Sequence, residues 1–223
     1  MQPMDALPPA LPSPTPAPQP SPSFEFSGGA LCLDFVNTWG DRARPEGDKL
    51  TGFGALVAFA VQAGLIDEPH RRTLAARAKD EPGRAAEAFA EAVRLRESLY
   101  ALFAGIARGR ELPARDLETL NRVLSEALAH LRIAAQATPD APFAWRFEPV
   151  APVATATAPL WPIARSAADL LVSPELARVT QCDGSNCTWL FLDQSRTRNR
   201  RWCSMESCGN RAKARRHYHR SKA

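Results

Sequence analysis

A mainly α-helical body with one small β-hairpin, followed by a compact cysteine-rich module, is the fold class the sequence predicts. Three observations predict it. Apolar residues recur at helical spacing through the middle of the 223-residue chain. A single turn-rich stretch, Thr138-Pro139-Asp140-Ala141-Pro142, separates two short segments able to pair as strands. Four of the five cysteines, Cys182, Cys187, Cys203 and Cys208, crowd the last fifth of the chain.

Taken in order, residues 1–23 carry nine prolines among Ala, Ser and Gln. Such a segment has little to bury, and it is expected to be disordered. Order is expected from Phe24. A Gly28-Gly29 turn leads into the dense apolar run of residues 30–38, which reads as a strand or as a short buried helix. Residues 53–66 read as a helix ending near Gly64, and a second helix follows Pro69 with a break at Pro82-Gly83. The clearest helix covers residues 83–108, with Phe89, Val93, Leu99, Phe103 and Ile106 on one face. Pro113 starts another, whose stripe is Leu117, Leu120, Leu124, Ala127, Leu128 and Leu131. Residues 130–137 and 145–150 form the hairpin, and residues 162–172 a last body helix. The expected division is a tail (1–23), a body (24–176) and a terminal module (177–223).

Composition narrows the class. The hydrophobic fraction is 45%, enough to bury a core, yet no apolar stretch approaches the ~20 residues of a membrane span. The N-terminus lacks the basic start and apolar run of a secretory signal. A soluble cytoplasmic protein is expected, with no membrane partner. Net charge is +4 overall, but residues 182–223 hold ten Lys or Arg against Asp183, Asp193 and Glu206. The terminal module therefore carries +7 and the rest −3, the asymmetry of a nucleic-acid or anionic-surface contact.

The cysteines read Cys-x4-Cys-x15-Cys-x4-Cys. Zinc favours four soft or borderline ligands in a tetrahedron, and two short Cys pairs brought together by a hairpin supply them. The expected hairpin pairs Trp189-Leu190-Phe191-Leu192 with Arg201-Trp202-Cys203 across a polar turn. A short basic helix after Cys208 completes a treble-clef-like zinc finger with four cysteine ligands. Disulfides and an iron–sulfur cluster use the same residue type, and His217 or His219 offers an alternative ligand. Four thiolates close the shell, leaving no open position for catalysis. The metal is thus structural, contributing on the order of 10 kcal/mol to folding. Cys32 reads as a core residue, Asp193 and Glu206 as surface acids, and Asp34 and Asn37 as residues that tie down backbone. No phosphate loop or nucleophile elbow is present, so an enzyme is not expected and no catalytic residue is assigned.

Wound as a helix, the basic segment places Arg211, Arg215 and Lys222 on one side and Lys213, Arg216 and Arg220 on another. Ala214 and Tyr218 are then free to pack inward. Arg196, Arg198, Arg200 and Arg201 surround the turn. Arg198, Arg200, Arg201, Arg211, Lys213, Arg215, Arg216 and Arg220 are the candidate nucleic-acid contacts, suited to phosphate through guanidinium forks and counterion release.

The run from Arg201-Trp202-Cys203 through Cys208-Gly209-Asn210-Arg211 resembles the CGNR zinc finger. Gly28-Gly29 with Leu33-Asp34-Phe35-Val36-Asn37-Thr38 resembles the start of the ABATE domain that accompanies it in bacterial proteins. The resemblance covers residue 24 to the end. It implies a stress-induced bacterial transcriptional regulator, with Zn2+ held by Cys182, Cys187, Cys203 and Cys208, and the +7 charge on a closed metal site makes duplex DNA the expected partner. The helical body would sense a small-molecule effector or form a homodimer. The same surface would equally serve RNA binding, or a protein-interaction adaptor.

Overall fold

The computed structural model describes residues 22–136, 138, 140–148 and 155–222, and the segment read as a disordered tail lies outside them but for its last two residues. The apolar run at 30–38 resolves as a helix, α1 (Leu31–Val36), of which every residue but Leu31 is buried. A helix buried on all sides is apolar all round, which is why periodicity could not separate it from a strand. It is the hub of the body, packed on α4 (Pro82–Ala107), α6 (Leu160–Leu171) and the terminal module. Cys32 is wholly buried there, as expected, and its burial pushes the thiol up to about 12.

Around α1 the chain lays down α2 (Phe53–Gln62) and α3 (Glu68–Asp80), the latter capped by the Asp67 carboxylate on the His70 amide. The 26-residue α4 begins at Pro82, where a proline costs the helix no hydrogen bond. Its buried face runs through Ala88, Ala92, Leu95, Leu99, Leu102 and Phe103, leaving Phe89, Val93 and Ile106 only partly buried. The expected stripe is therefore rotated toward the small residues, because alanines admit the close approach of neighbouring helices. Likewise α5 (Ala114–Ala129) buries Leu120, Val123 and Ala127 but leaves Leu117 and Leu128 about half exposed, while Leu131 begins a strand.

The body hairpin pairs β1 (Leu131–Ala135) with β2 (Phe143–Phe147) in antiparallel register, Ile133 opposite Trp145. It is anchored mainly at one end, with the Arg165 guanidinium over the Trp145 ring as a further contact. His130 stacks on Trp161 at 4.1 Å and Phe147 leans on the same ring, while Ile133, Phe143 and Trp145 stand exposed.

One buried charge organises the approach to the terminal module. Arg96, 1% exposed within an otherwise apolar face of α4, makes a bidentate bond to Asp48 (2.6 and 2.7 Å) and bonds Thr38 and Glu97. Arg42 adds a pair to Glu97 at 2.8 Å and lies over the Tyr100 ring. Together they clamp the 38–48 loop onto α4. Breaking a buried pair of this kind leaves an uncompensated charge, so both partners are needed.

Candidate metal centre and basic surface

Two features of the chain shape the module: its own hairpin and its approach to α1. β3 (Val179–Gln181) pairs antiparallel with β4 (Leu190–Leu192), so the hairpin encloses the first cysteine pair in its own turn. This corrects the expected pairing of residues 189–192 with 201–203. The segment returning to Cys203 meets the knuckle through a bond from the Asp183 amide to the Arg201 carbonyl, at 2.9 Å, rather than as a strand. A π-helical turn, Met205–Gly209, follows, capped by the Ser204 hydroxyl on the Glu206 amide, and runs into α7 (Asn210–Arg220).

The fold brings the four cysteines together. Their sulfurs all lie within 4.8 Å of one another, with Cys187 to Cys203 at 3.8 Å and Cys203 to Cys208 at 3.7 Å. A tetrahedron with Zn–S bonds of ~2.3 Å has S–S edges of about 3.8 Å. The spacing therefore fits one tetrahedral ion, and it is too long for a disulfide bond. Backbone amides point at the sulfurs as they do around bound thiolates: Cys203 N–H and Gly184 N–H both donate to Cys182 Sγ, at 3.3 and 3.4 Å. The Arg211 guanidinium donates to Cys208 Sγ at 3.0 Å.

The electrostatics point the same way. Hydrogen bonds from the Cys187 and Cys203 thiols, and then from those amides, hold the Cys182 thiol below its ordinary value. Cys187 and Cys203 are pushed up, first by donating to the Cys182 sulfur. Binding a divalent metal to such a set requires the thiols to ionise and releases their protons. Gly184 completes the fit: a Cβ there would stand 2.9 Å from Cys208 Sγ and 3.0 Å from the Cys187 Cβ.

Of the module's four Trp, Phe and Tyr residues, three lie with the cysteines. Trp189 and Phe191 are buried with the cysteines, and Trp202 packs against them half-buried. Tyr218, however, is exposed, as is Ala214, and α7 buries none of its residues. The helix has no apolar stripe to bury, and it meets the knuckle through polar contacts such as Arg215 on the Ser185 hydroxyl. Asp193 is also not the surface acid it resembles. Buried, it accepts bonds from the amides of Ser195 and Arg200, and the Ser195 side chain and amide hold its carboxyl below the usual range.

The eight candidate basic residues separate into two sorts. Arg200 is committed to structure: it donates to the carbonyls of Trp202, Cys203 and Ser27 and lies over the Phe191 ring. Arg211 is anchored to Cys208. Arg198, Arg201, Lys213, Arg215, Arg216 and Arg220 are exposed, with Arg201 held by Asp183 at 2.8 Å and Arg215 by the Ser185 hydroxyl at 2.5 Å. Charge alone gave no sign of Arg200's role, which depends on backbone brought back by the fold. Asn37, in contrast, does what its polar character within an apolar run implied. Its amide donates to the Leu190 carbonyl (2.8 Å) and accepts from the Leu190 amide (2.9 Å), tying β4 to the end of α1.

A helical body joined to a compact four-cysteine finger defines the class: a mainly helical protein with a terminal zinc module. Among the described residues, no helix is long and apolar enough to cross a membrane. The chain belongs to the ABATE family, described as "Putative stress-induced transcription regulator", whose model matches residues 29–174. The CGNR zinc finger follows at residues 178–221, and with its four close cysteines it is consistent with Zn2+. Neither is an enzyme family. No curated protein matches the chain.

Proposed function

We propose that Cys182, Cys187, Cys203 and Cys208 hold one structural Zn2+, and that the finger so formed is the nucleic-acid-binding end of a bacterial, cytoplasmic transcriptional regulator. Duplex DNA is the partner proposed. The body, as a sensor of an effector or a dimerisation unit, would adjust that binding. The chain carries no catalytic role in this reading.

The observation that carries it is the placement of charge. Six exposed Lys or Arg candidates project from a metal-fixed scaffold, while Arg200 is committed to holding it together and Arg211 is anchored to it through one bond to Cys208. Basic side chains on a rigid platform neutralise phosphates without a large ordering cost, and the counterions released make binding steeply salt-dependent. Five phosphate contacts correspond to a slope of log K against log salt of about −4.5. Fluorescence anisotropy with a duplex at graded salt should return a slope of that order for the zinc-loaded chain. Binding that is weak and indifferent to salt overturns the reading, and stronger competition by single-stranded RNA than by duplex DNA would transfer it to RNA.

A further inference from the structure

Between the zinc knuckle and α7 lies a groove of about 320 Å³, walled by Asp183, Arg201, Arg211, Arg215, Arg216 and His219. We infer that this groove is a phosphate clasp, the place where one backbone phosphodiester of the nucleic acid is gripped. The inference rests on the nucleic-acid reading above and specifies where on the finger that contact is made.

Three guanidiniums are pre-set there. Each is held from one side by a different part of the wall: Arg201 by the Asp183 carboxylate, Arg211 by Cys208 Sγ, and Arg215 by the Ser185 hydroxyl. A guanidinium carries five N–H donors, and these bonds use few of them. The remaining donors belong to groups whose position is already fixed, which lowers the ordering cost of binding. Four arginines line the groove against the Asp183 carboxylate and a zinc tetrathiolate of net charge −2 that reaches it at Cys208, so a positive excess remains. Such an excess of like charge in one concavity is relieved by an anion, and the planar fork of arginine matches phosphate bidentately.

The shape argues for a polymer and not a lone ion. Arg216 and His219 also line a second basic hollow with Lys213 and Arg220. The two hollows therefore adjoin across the Arg216 and His219 wall, and the basic surface continues round α7 from one to the other. From Arg211 to Arg220 the helix rises roughly 14 Å, room for successive phosphates of one strand.

The test compares two double variants of the zinc-loaded full chain, each removing two exposed basic residues of the module: Arg201→Ala with Arg215→Ala in the groove, and Arg196→Ala with Lys222→Ala outside it. Zinc content and circular dichroism confirm that each retains the fold. The groove pair should weaken duplex binding about 100-fold and lower the salt slope by about one, whereas the outer pair should change affinity less than about 3-fold. Equal losses, or a larger loss from the outer pair, overturn the clasp while leaving nucleic-acid binding intact. Should the wild-type chain bind no nucleic acid, the functional reading falls. Titration with inorganic pyrophosphate, followed by the Nε–Hε resonances of Arg201 and Arg215, then decides the groove alone: saturable shifts retain an anion site, and their absence removes it.

Discussion

Asp34 shows how one side chain links the body to pH. It lies buried on α1 and accepts the Gly28 amide at 2.7 Å, while the Gly28 carbonyl in turn accepts the Leu192 amide of the finger. Burial pushes its carboxyl up to about 6 from an ordinary 3.8, despite the opposing bonds from the Gly28 and Ser27 amides. The folded chain therefore holds this proton more tightly than the unfolded chain does. The stabilisation is complete below about pH 4, falls as pH rises, and is gone above about pH 6, a change of about 3 kcal/mol. Asp34→Asn keeps an acceptor oxygen without a charge to desolvate. Its urea midpoint should equal or exceed that of the wild type at neutral pH, and its advantage should shrink between about pH 6 and pH 4. Measured as a difference between the two proteins, the comparison cancels the pH dependence of metal retention. A pH-independent difference would show that Asp34 titrates normally. The sequence marked Asp34 as a backbone tie because a lone acid within an apolar run must find donors. It did not mark Arg96, whose partner Asp48 is brought to it only by the loop that both residues clamp.

At the scale of elements, the knuckle is the part most sensitive to a single atom. Cys182 and Cys187 converge because the β3–β4 hairpin turns between them, and Gly184 leaves the space in which the sulfurs meet. Gly184→Ala should move at least one sulfur outward and lower zinc affinity about 10- to 100-fold, the range seen when support around ligands is disturbed. Competition against a chromophoric chelator measures this, and an unchanged affinity would mean the knuckle relaxes freely. The cysteine pairs were legible because their spacing is set by ligand geometry. The strand partner of Leu190–Leu192 was not, because the three residues of β3 carry no alternation long enough to read. For the same reason α7 was recognisable as a helix while its inward face was misjudged: Ala214 and Tyr218 have the right spacing to pack, yet both stay exposed.

Across the whole molecule, β4 is shared between two cores. Strand alternation sends Leu190 and Leu192 into the body core beside α1, while Trp189 and Phe191 lie with the cysteines. Gly29, at φ +80° and with its Cβ position 3.2 Å from the Leu192 side chain, lets the body close on the strand. The Gly40 carbonyl takes both the amide and the hydroxyl of Thr188, at 2.8 and 3.1 Å, and Asn37 grips Leu190 twice. The finger is thus built into the body, although the sequence presents two separate compositions. Metal and body stability should then be coupled. Removing zinc loosens the knuckle, and β4 can no longer hold two leucines in the body core, each worth about 2 kcal/mol when fully buried. Partial loss of that burial, about 2 kcal/mol in all, should lower the melting temperature of the body helices by roughly 4–8 °C for a chain of this size. Hydrogen exchange after chelation should show protection lost at Leu190 and Leu192 together with weakened protection in α1. Asn37→Ala should reproduce part of that loss with the metal still bound, since it leaves the Leu190 amide and carbonyl unpaired in a buried site. A body whose melting is the same with and without zinc would mean that β4 keeps its place unaided, and that the two cores are neighbours without being coupled.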